Sequence, residues 1–420
     1  MKKFYYPWFM AILVAFSCSD EADPNEDENG CNTSATTLTL ENTWAYTGQT
    51  LTLKGSQICK GGLTSVTLNG IAASTSGVTE SSILLTVPEI TEDSATLVVT
   101  FGDSPITVGK IAIFPGNGTW KEVESFPGTG RVAAHAFTVG NKAYVVGGEQ
   151  YRLEYDPKNY SDIHSFDLAT GTWTTLPSQD KLDDIQYEPA PAKNGFIFLY
   201  EATQVLYYYN PITNEFNTMA EPAFRSFNHG FMINGETYYA QAKIEGNYLY
   251  IIKYNEPGDD WELMNYSMYA ENEQFHFMGA FEVDGKGYLA IKRSSKYEEI
   301  QMISFDPATK TIENLPALSL ASAQSKELSH LFTIGKLAYF AERGSATTDN
   351  QTSWVDTPPS DRLYIFNAAT KQWHTTTPSH PGMPLDGTSF TLGGRGFLGL
   401  GAVQQSTITY PQKFYEFIPK

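Results

Sequence analysis

Residues Ser165-Phe166-Asp167-Leu168-Ala169-Thr170-Gly171-Thr172-Trp173 read as a strand, a tight turn and a second strand opening on a tryptophan. The Asp side chain can accept hydrogen bonds from backbone N–H groups two residues further on, which closes such a turn. The pattern recurs at Tyr209-Asn210 with Phe216, Tyr254-Asn255 with Trp261, Phe305-Asp306 with Ile312, and Phe366-Asn367 with Trp373. In all five copies an aromatic precedes the Asp or Asn, and a large apolar residue stands six positions after it. The flanks are aromatic and β-branched, as strands require. Recurrence at roughly 40–60 residues belongs to radial or stacked repeats.

A second marker precedes the copies. Glycine-bearing turns stand at Gly140-Asn141, Asn194-Gly195, Asn234-Gly235, Asp284-Gly285 and Gly335-Lys336, and Gly393-Gly394 follows the last copy. Such pairs supply the positive φ that two-residue hairpins need. Each unit therefore reads strand, hairpin, strand, loop, strand, Asp-turn, strand, which is one four-stranded blade. Six hairpin markers against five Asp-turns leave one incomplete unit, ending in the strand Lys413-Phe414-Tyr415-Glu416-Phe417. Its missing outer strand is available at Gly118-Thr119-Trp120-Lys121-Glu122-Val123, where Trp120 would take the place of Trp173. The expectation over 118–420 is an all-β, six-bladed propeller closed by its N- and C-terminal strands. Closure removes the free sheet edges that template aggregation.

Arg131 and His135, the run Ala143-Tyr144-Val145-Val146-Gly147-Gly148, and Phe166-Asp167 with Thr170 and Trp173 together resemble the kelch family. Only this first unit keeps the double glycine; the equivalent sites read Ala240-Gln241 and Ala341-Glu342. The resemblance implies a kelch-type propeller and leaves the activity open, because one fold hosts many functions.

Upstream, Lys2 and Lys3 precede an apolar run from Phe4 to Phe16 that is too short to span a bilayer comfortably. It ends Ala15-Phe16-Ser17-Cys18. A small residue before Cys resembles a bacterial lipoprotein cleavage site, so residues 1–17 are expected to be a signal peptide and Cys18 the lipidated residue. Residues 18–33 carry six acids and no base and are expected to form a disordered tether. An acidic segment after the lipidated Cys resembles the export signal of Bacteroidota surface lipoproteins, which implies the outer face of the outer membrane.

Residues 34–115 alternate Thr or Ser with Leu, Val or Ile in short strands: Thr37–Leu40, Thr50–Leu53, Ser65–Leu68, Ser82–Val87, Ala95–Thr100 and Ile111–Ile113. That is the size of an immunoglobulin-like sandwich. Gly48–Gly55, Val66–Gly70 and the strand ending Val87-Pro88 resemble the IPT/TIG family, which implies a spacer. With Cys18 lipidated, Cys31 and Cys59 remain as an even pair that an exported protein could join as a disulfide.

The formal charge of −19 argues against nucleic-acid partners, which need a basic footprint. Gly394-Arg395-Gly396-Phe397-Leu398-Gly399 has dinucleotide-binding spacing but lies in a hairpin between strands, where no helix N-terminus can receive a pyrophosphate. No His-Glu-x-x-His or Gly-x-Ser-x-Gly occurs. A kelch-ring copper radical oxidase needs a ring cysteine, and no Cys follows Cys59. No cofactor is expected.

His135, His229 and His330 each stand six residues before the second hairpin residue of their unit, at equivalent sites on the innermost strands. Three radial imidazoles could bind a metal. Repeat-equivalent residues are normally structural, and that reading is preferred, with no metal expected. Arg131 and Arg225 stand four residues before His135 and His229, and with Tyr187, His276, Arg293 and Arg343 they fall near strand ends that could face the ring's mouth. Trp354 falls in the longest insertion and could stack on a sugar. The expected function is a non-catalytic surface lipoprotein, held at the membrane by its lipid, whose propeller binds a glycan or a protein partner of a nutrient-uptake complex. The alternatives are a kelch-type sugar mutarotase resembling sialic-acid epimerases, and a structural adhesion or assembly factor.

Overall fold

The computed structural model describes residues 36–40, 44–90, 92, 94–114, 118–150, 158–183, 185–200, 205–220, 229–243, 248–256, 258–268, 275–296, 298–320, 327–343, 346–349, 353–356, 362–376, 386–404 and 408–419. The chain divides into two compact units, Met1–Ile113 and Phe114–Lys420. Among the described residues there is no α-helix, and no helix long and apolar enough to cross a membrane.

The first unit holds two antiparallel sheets. One runs Thr37–Leu40, Thr50–Ser56, Ser82–Thr86, Ser74–Val78; the other runs Trp44–Tyr46, Ser104–Phe114, Ser94–Phe101, Leu63–Leu68, Ile71–Ala72. Successive side chains on a strand point to opposite faces. The Thr/Leu alternation therefore sends Leu51, Leu53, Ile83 and Leu85 from one sheet, and Val66, Leu68, Leu97 and Val99 from the other, into one shared core. Cys59 is buried and disulfide-bonded. Cys31, its expected partner, and Cys18 lie outside the described residues.

The second unit is a series of four-stranded antiparallel meanders, named here sheets I to VI. Sheet I is His135–Val139, Lys142–Val146, Ile163–Asp167, Thr172–Leu176. Sheet II is Ile185–Ala192, Gly195–Tyr200, Val205–Asn210, Glu215–Thr218, and sheet III is His229–Ile233, Glu236–Lys243, Tyr248–Asn255, Asp260–Met268. Sheet IV is Phe275–Val283, Lys286–Arg293, Glu299–Asp306, Thr311–Asn314, with Leu318–Ser319 as an extra short strand. Sheet V is Glu327–Ile334, Leu337–Arg343, Leu363–Asn367, Gln372–Thr376. Sheet VI is Thr388–Leu392, Arg395–Gly399, Phe414–Ile418, and its outer strand is Thr119–Glu122, from the start of the unit. Trp120 pairs with Phe417 as Trp173 pairs with Phe166.

The repeated residues explain the repeated sheets. The Asp or Asn accepts from the turn N–H groups in four copies: Asp167 from Ala169, Asn210 from Ile212, Asp306 from Ala308 and Asn367 from Ala369, at 2.9–3.0 Å. The residue four places after each Asp or Asn is left-handed in all five turns: Gly171, Asn214, Asp259, Lys310 and Lys371. The tryptophans of sheets I, III and V reach back one sheet. The Nε1–H of Trp173 donates to the Glu124 carbonyl at 3.0 Å, Trp261 to Ala220 at 2.8 Å and Trp373 to Pro316 at 3.0 Å. Every acceptor lies two residues past the preceding sheet's outer strand, at Glu122, Thr218 or Asn314. Trp173 therefore ties sheet I to sheet VI.

Apolar cores join the neighbours. Phe137 and Phe196 join I to II, Ala190 and Tyr239 join II to III, Ile251 and Leu289 join III to IV, and Phe281 and Phe340 join IV to V. Phe332 and Phe417 meet at 5.6 Å between V and VI, and Phe166 meets Phe397 at 5.5 Å between VI and I. The all-β second unit fits a β-propeller. One turn departs from expectation. Ala192 pairs directly with Gly195, so the hairpin of sheet II turns on Lys193-Asn194. Gly195 is in the strand, where a Cβ would stand 1.9 Å from the Tyr209 carbonyl oxygen.

Candidate functional site

The first strands of sheets I to VI line one cavity of about 540 Å³. Two of them approach closely because glycine allows it: a Cβ on Gly230 would stand 2.1 Å from the Ala190 Cβ. His135, His229 and His330 all reach the cavity, with Ser329, Ser389, Thr391 and Asp386. The equivalence of the three histidines is incomplete. His135 and His229 pair with Val146 and Ala240, five residues past the second hairpin residue, whereas His330 pairs with Phe340, four past it. A bulge between His330 and Phe332 causes the difference, and a one-residue slip turns a side chain toward the other face of its sheet. The His330 ring accordingly stacks on Phe281 at 5.4 Å and meets Phe340 edge-on at 5.3 Å. Its Nε2 lies 3.0 Å from Thr333 Oγ1. Burial, with the charge of His229 adding to it, pushes the His330 imidazole down to about 3. At neutral pH it is an uncharged hydrogen-bonding ring. Among the described residues no group of three or more His, Cys, Asp or Glu could hold a metal ion.

Arg131 is a correction. Its side chain is 1% exposed and does not face a mouth. Nη1 and Nη2 form a fork on the Asp162 carboxylate, Nη1 also donates to the Gly147 carbonyl at 2.9 Å, and Nε donates to Thr129 O at 2.8 Å. The guanidinium lies 3.9 Å from the Tyr160 ring centroid. His164 Nε2 donates to Asp162 Oδ2 at 2.8 Å. Burial alone would raise the Asp162 carboxyl. Hydrogen bonds from His164 and Arg131 and the Arg131 charge outweigh it and hold the group well below the usual carboxylate range. This cluster pins the left-handed Gly147-Gly148 bend.

His276 is exposed and Arg293 half-buried at the end of sheet IV away from its hairpin, and neither lines the cavity. Tyr187, Arg343 and Trp354 fall in strands, but their side chains lie outside the described part, as does the whole of Arg225. Asp386, which the sequence reading missed, has a positive φ of 46°, and its carbonyl accepts from Ala133 N at 3.3 Å. Its charge adds to burial in raising the Glu149 carboxyl. No repeat marker falls on it; the signal was the Asp-Gly pair ahead of the last hairpin.

A Kelch motif spans residues 130–179. That segment is sheet I with the loop that carries Arg131. No curated protein matches the sequence. The fold is similar to a structural genomics protein of unknown function from Bacteroides thetaiotaomicron VPI-5482, at 10% identity and TM-score 0.44 over 94% of this chain and 99% of that one. It is also similar to YjhT (11% identity, TM-score 0.48, 69% of this chain and 95% of that one). A third likeness is to an auxiliary nutrient binding protein from Bacteroides thetaiotaomicron VPI-5482 (12% identity, TM-score 0.41, 90% and 97%).

Proposed function

We propose that this chain is a non-catalytic, outer-membrane surface lipoprotein whose propeller binds an extracellular ligand, a glycan or a protein partner of a nutrient-uptake complex. The observation that carries the reading is the cavity of about 540 Å³ into which the first strands of sheets I to VI converge. A concave site with a few convergent polar groups on an apolar wall is where a fold of this kind takes a ligand. In this reading the sheets are six blades of one kelch-type ring, supported by the pairing of Thr119–Glu122 with Phe414–Ile418. The two sheets sharing one core in the first unit support an immunoglobulin-like IPT/TIG spacer. Ser17-Cys18 after the apolar run, and the acids from Asp20 to Glu28, support the lipid anchor and surface export.

Thermal shift of the purified protein with neutral and acidic oligosaccharides, with and without divalent metal, tests the binding role. A ligand that binds only the folded state raises the melting temperature. The expected result is a shift with one sugar class that His229→Ala removes. If no sugar shifts the protein, cross-linking on intact cells is expected to capture an outer-membrane partner. An empty glycan array together with an empty pull-down refutes the reading. Cys18→Ala should release the protein from the membrane fraction.

A further inference from the structure

We infer that a second site, a groove of about 610 Å³ lined by residues of sheets II and III, binds a neutral saccharide. The inference takes from the preceding reading only that the propeller holds a ligand, and it puts this ligand elsewhere. The groove takes the hairpin ends of both sheets and the Asp-turn of sheet III, and it shares no lining residue with the central cavity. Its apolar part is Ala192, Ile197 and Met219; Tyr208 and Tyr254 add half-buried aromatic rings.

The polar groups come from a departure in the repeat. In the other four Asp-turns the second residue after the Asp or Asn donates its N–H to that side chain. In sheet III that position is Pro257, which has no N–H to give. Asn255 makes no such bond, and among the described residues its amide has no partner, nor does that of Asn217. Both line the groove. A primary amide offers two donors and an acceptor, a set that matches sugar hydroxyls. Burial, with the Glu256 charge adding to it, raises the Tyr208 phenol, so its hydroxyl keeps its proton beside a carboxylate.

Charge selects against anions, because two lysines, Lys193 and Lys253, stand among three carboxylates, Glu236, Glu256 and Asp259. Lys253 is paired with Glu236 at 2.6 Å. Asp259 accepts from the Tyr254 hydroxyl and from Ala220 N, both at 3.0 Å. Lys193 and Glu256 oppose one another in sign. A small excess of carboxylates, solvated amides without a protein partner among the described residues, and ring faces suit an uncharged polyol with an apolar C–H face.

The test is titration calorimetry on the full chain with cellobiose, maltose, lactose and xylobiose, and with sialyllactose as the acidic comparison. At least one neutral disaccharide should bind, with affinity falling tenfold or more in Tyr208→Ala and in Asn255→Ala and unchanged in Lys121→Ala, an exposed residue outside both sites. Among the described residues Asn255 holds no bond through its amide, so N255A should fold normally even if Y208A does not. Pro257→Ala restores the N–H found in the other copies. It should draw the Asn255 oxygen into the turn and weaken binding severalfold without lowering the melting temperature. No binding of any neutral disaccharide overturns the inference, and so does binding that survives Asn255→Ala. Binding lost only in His229→Ala overturns it while leaving the central-cavity reading intact.

Discussion

Removing the Asp162 carboxylate should cost far more than its position near the surface suggests. In Asp162→Ala the Arg131 guanidinium stays charged, because arginine does not deprotonate in proteins. At 1% exposure it has almost no water around it from which to draw a replacement partner unless the vacated Asp162 position fills. It loses its two-pronged bond, and His164 loses an acceptor. Breaking one side of a buried ion pair costs about 3–5 kcal/mol. Asp162 is itself 29% exposed, so water entering its place should hold the cost near the low end, about 3 kcal/mol. In a domain of this size that lowers the melting temperature by roughly 6 °C. Tryptophan fluorescence is a suitable assay, since five of the seven tryptophans lie after residue 114. The partner variant Arg131→Met removes the cation and leaves Asp162 its bond from His164. The double variant R131M/D162A should then be less destabilised than the sum of the two, by about 1–3 kcal/mol. A D162A shift under about 2 °C, or an additive double variant, would refute the claim that this pair holds the glycine bend.

Acid should destabilise the protein in two separate windows. His330, held at about 3, and His374, held at about 4 by burial, stay neutral when folded while their unfolded counterparts protonate near 6.5. Stability should fall as pH drops below 6.5, by at most about 1.4 kcal/mol per pH unit for each group. His330→Gln and His374→Gln should flatten denaturation midpoints measured between pH 6.5 and 4. The lowered Asp162 contributes stability that is complete above the ordinary carboxylate range and disappears only below it. Gly230→Ala forces a Cβ to 2.1 Å from Ala190 and should cost about 3 kcal/mol in a melt, with Ala190→Gly relieving part of it. Trp373→Phe keeps an aromatic ring and loses the bond to the Pro316 carbonyl, and should cost at least about 1 kcal/mol by chemical denaturation, as should Trp261→Phe.

The repeat was legible because each marker residue does a local job. In four copies the Asp or Asn closes its own turn, and in three a tryptophan six places on bonds the sheet before it. Turn chemistry failed only at Asn194-Gly195, where a dipeptide signal could not distinguish a turn glycine from one that admits a neighbouring backbone. Site residues were less legible. A cation four places before a cavity histidine looks the same in sequence whether it faces a ligand or a carboxylate. Arg131 faces Asp162, which is 31 positions away with no motif linking them. The His330 bulge is likewise invisible to counting, because it moves pairing and leaves spacing untouched. The turn of sheet III beside the groove differs from the other four by a single proline, Pro257, and a repeat pattern absorbs one such change without a trace.

The seam between Thr119–Glu122 and Phe414–Ile418 bears on the order of assembly. Strands that pair must both exist, and these two stand at opposite ends of the unit's synthesis. Sheets I to V can form as hairpins while the chain is still emerging, since each is contiguous. Sheet VI must wait for the last residues, and until then Trp173 has no settled neighbour to bond. Long-range closure is slow, because loop entropy is paid before contacts repay it. A chain stopped short of Phe414 would leave two bare edges, on Thr119–Glu122 and Arg395–Gly399, so late frameshifts should behave as aggregation mutants and not as mild truncations.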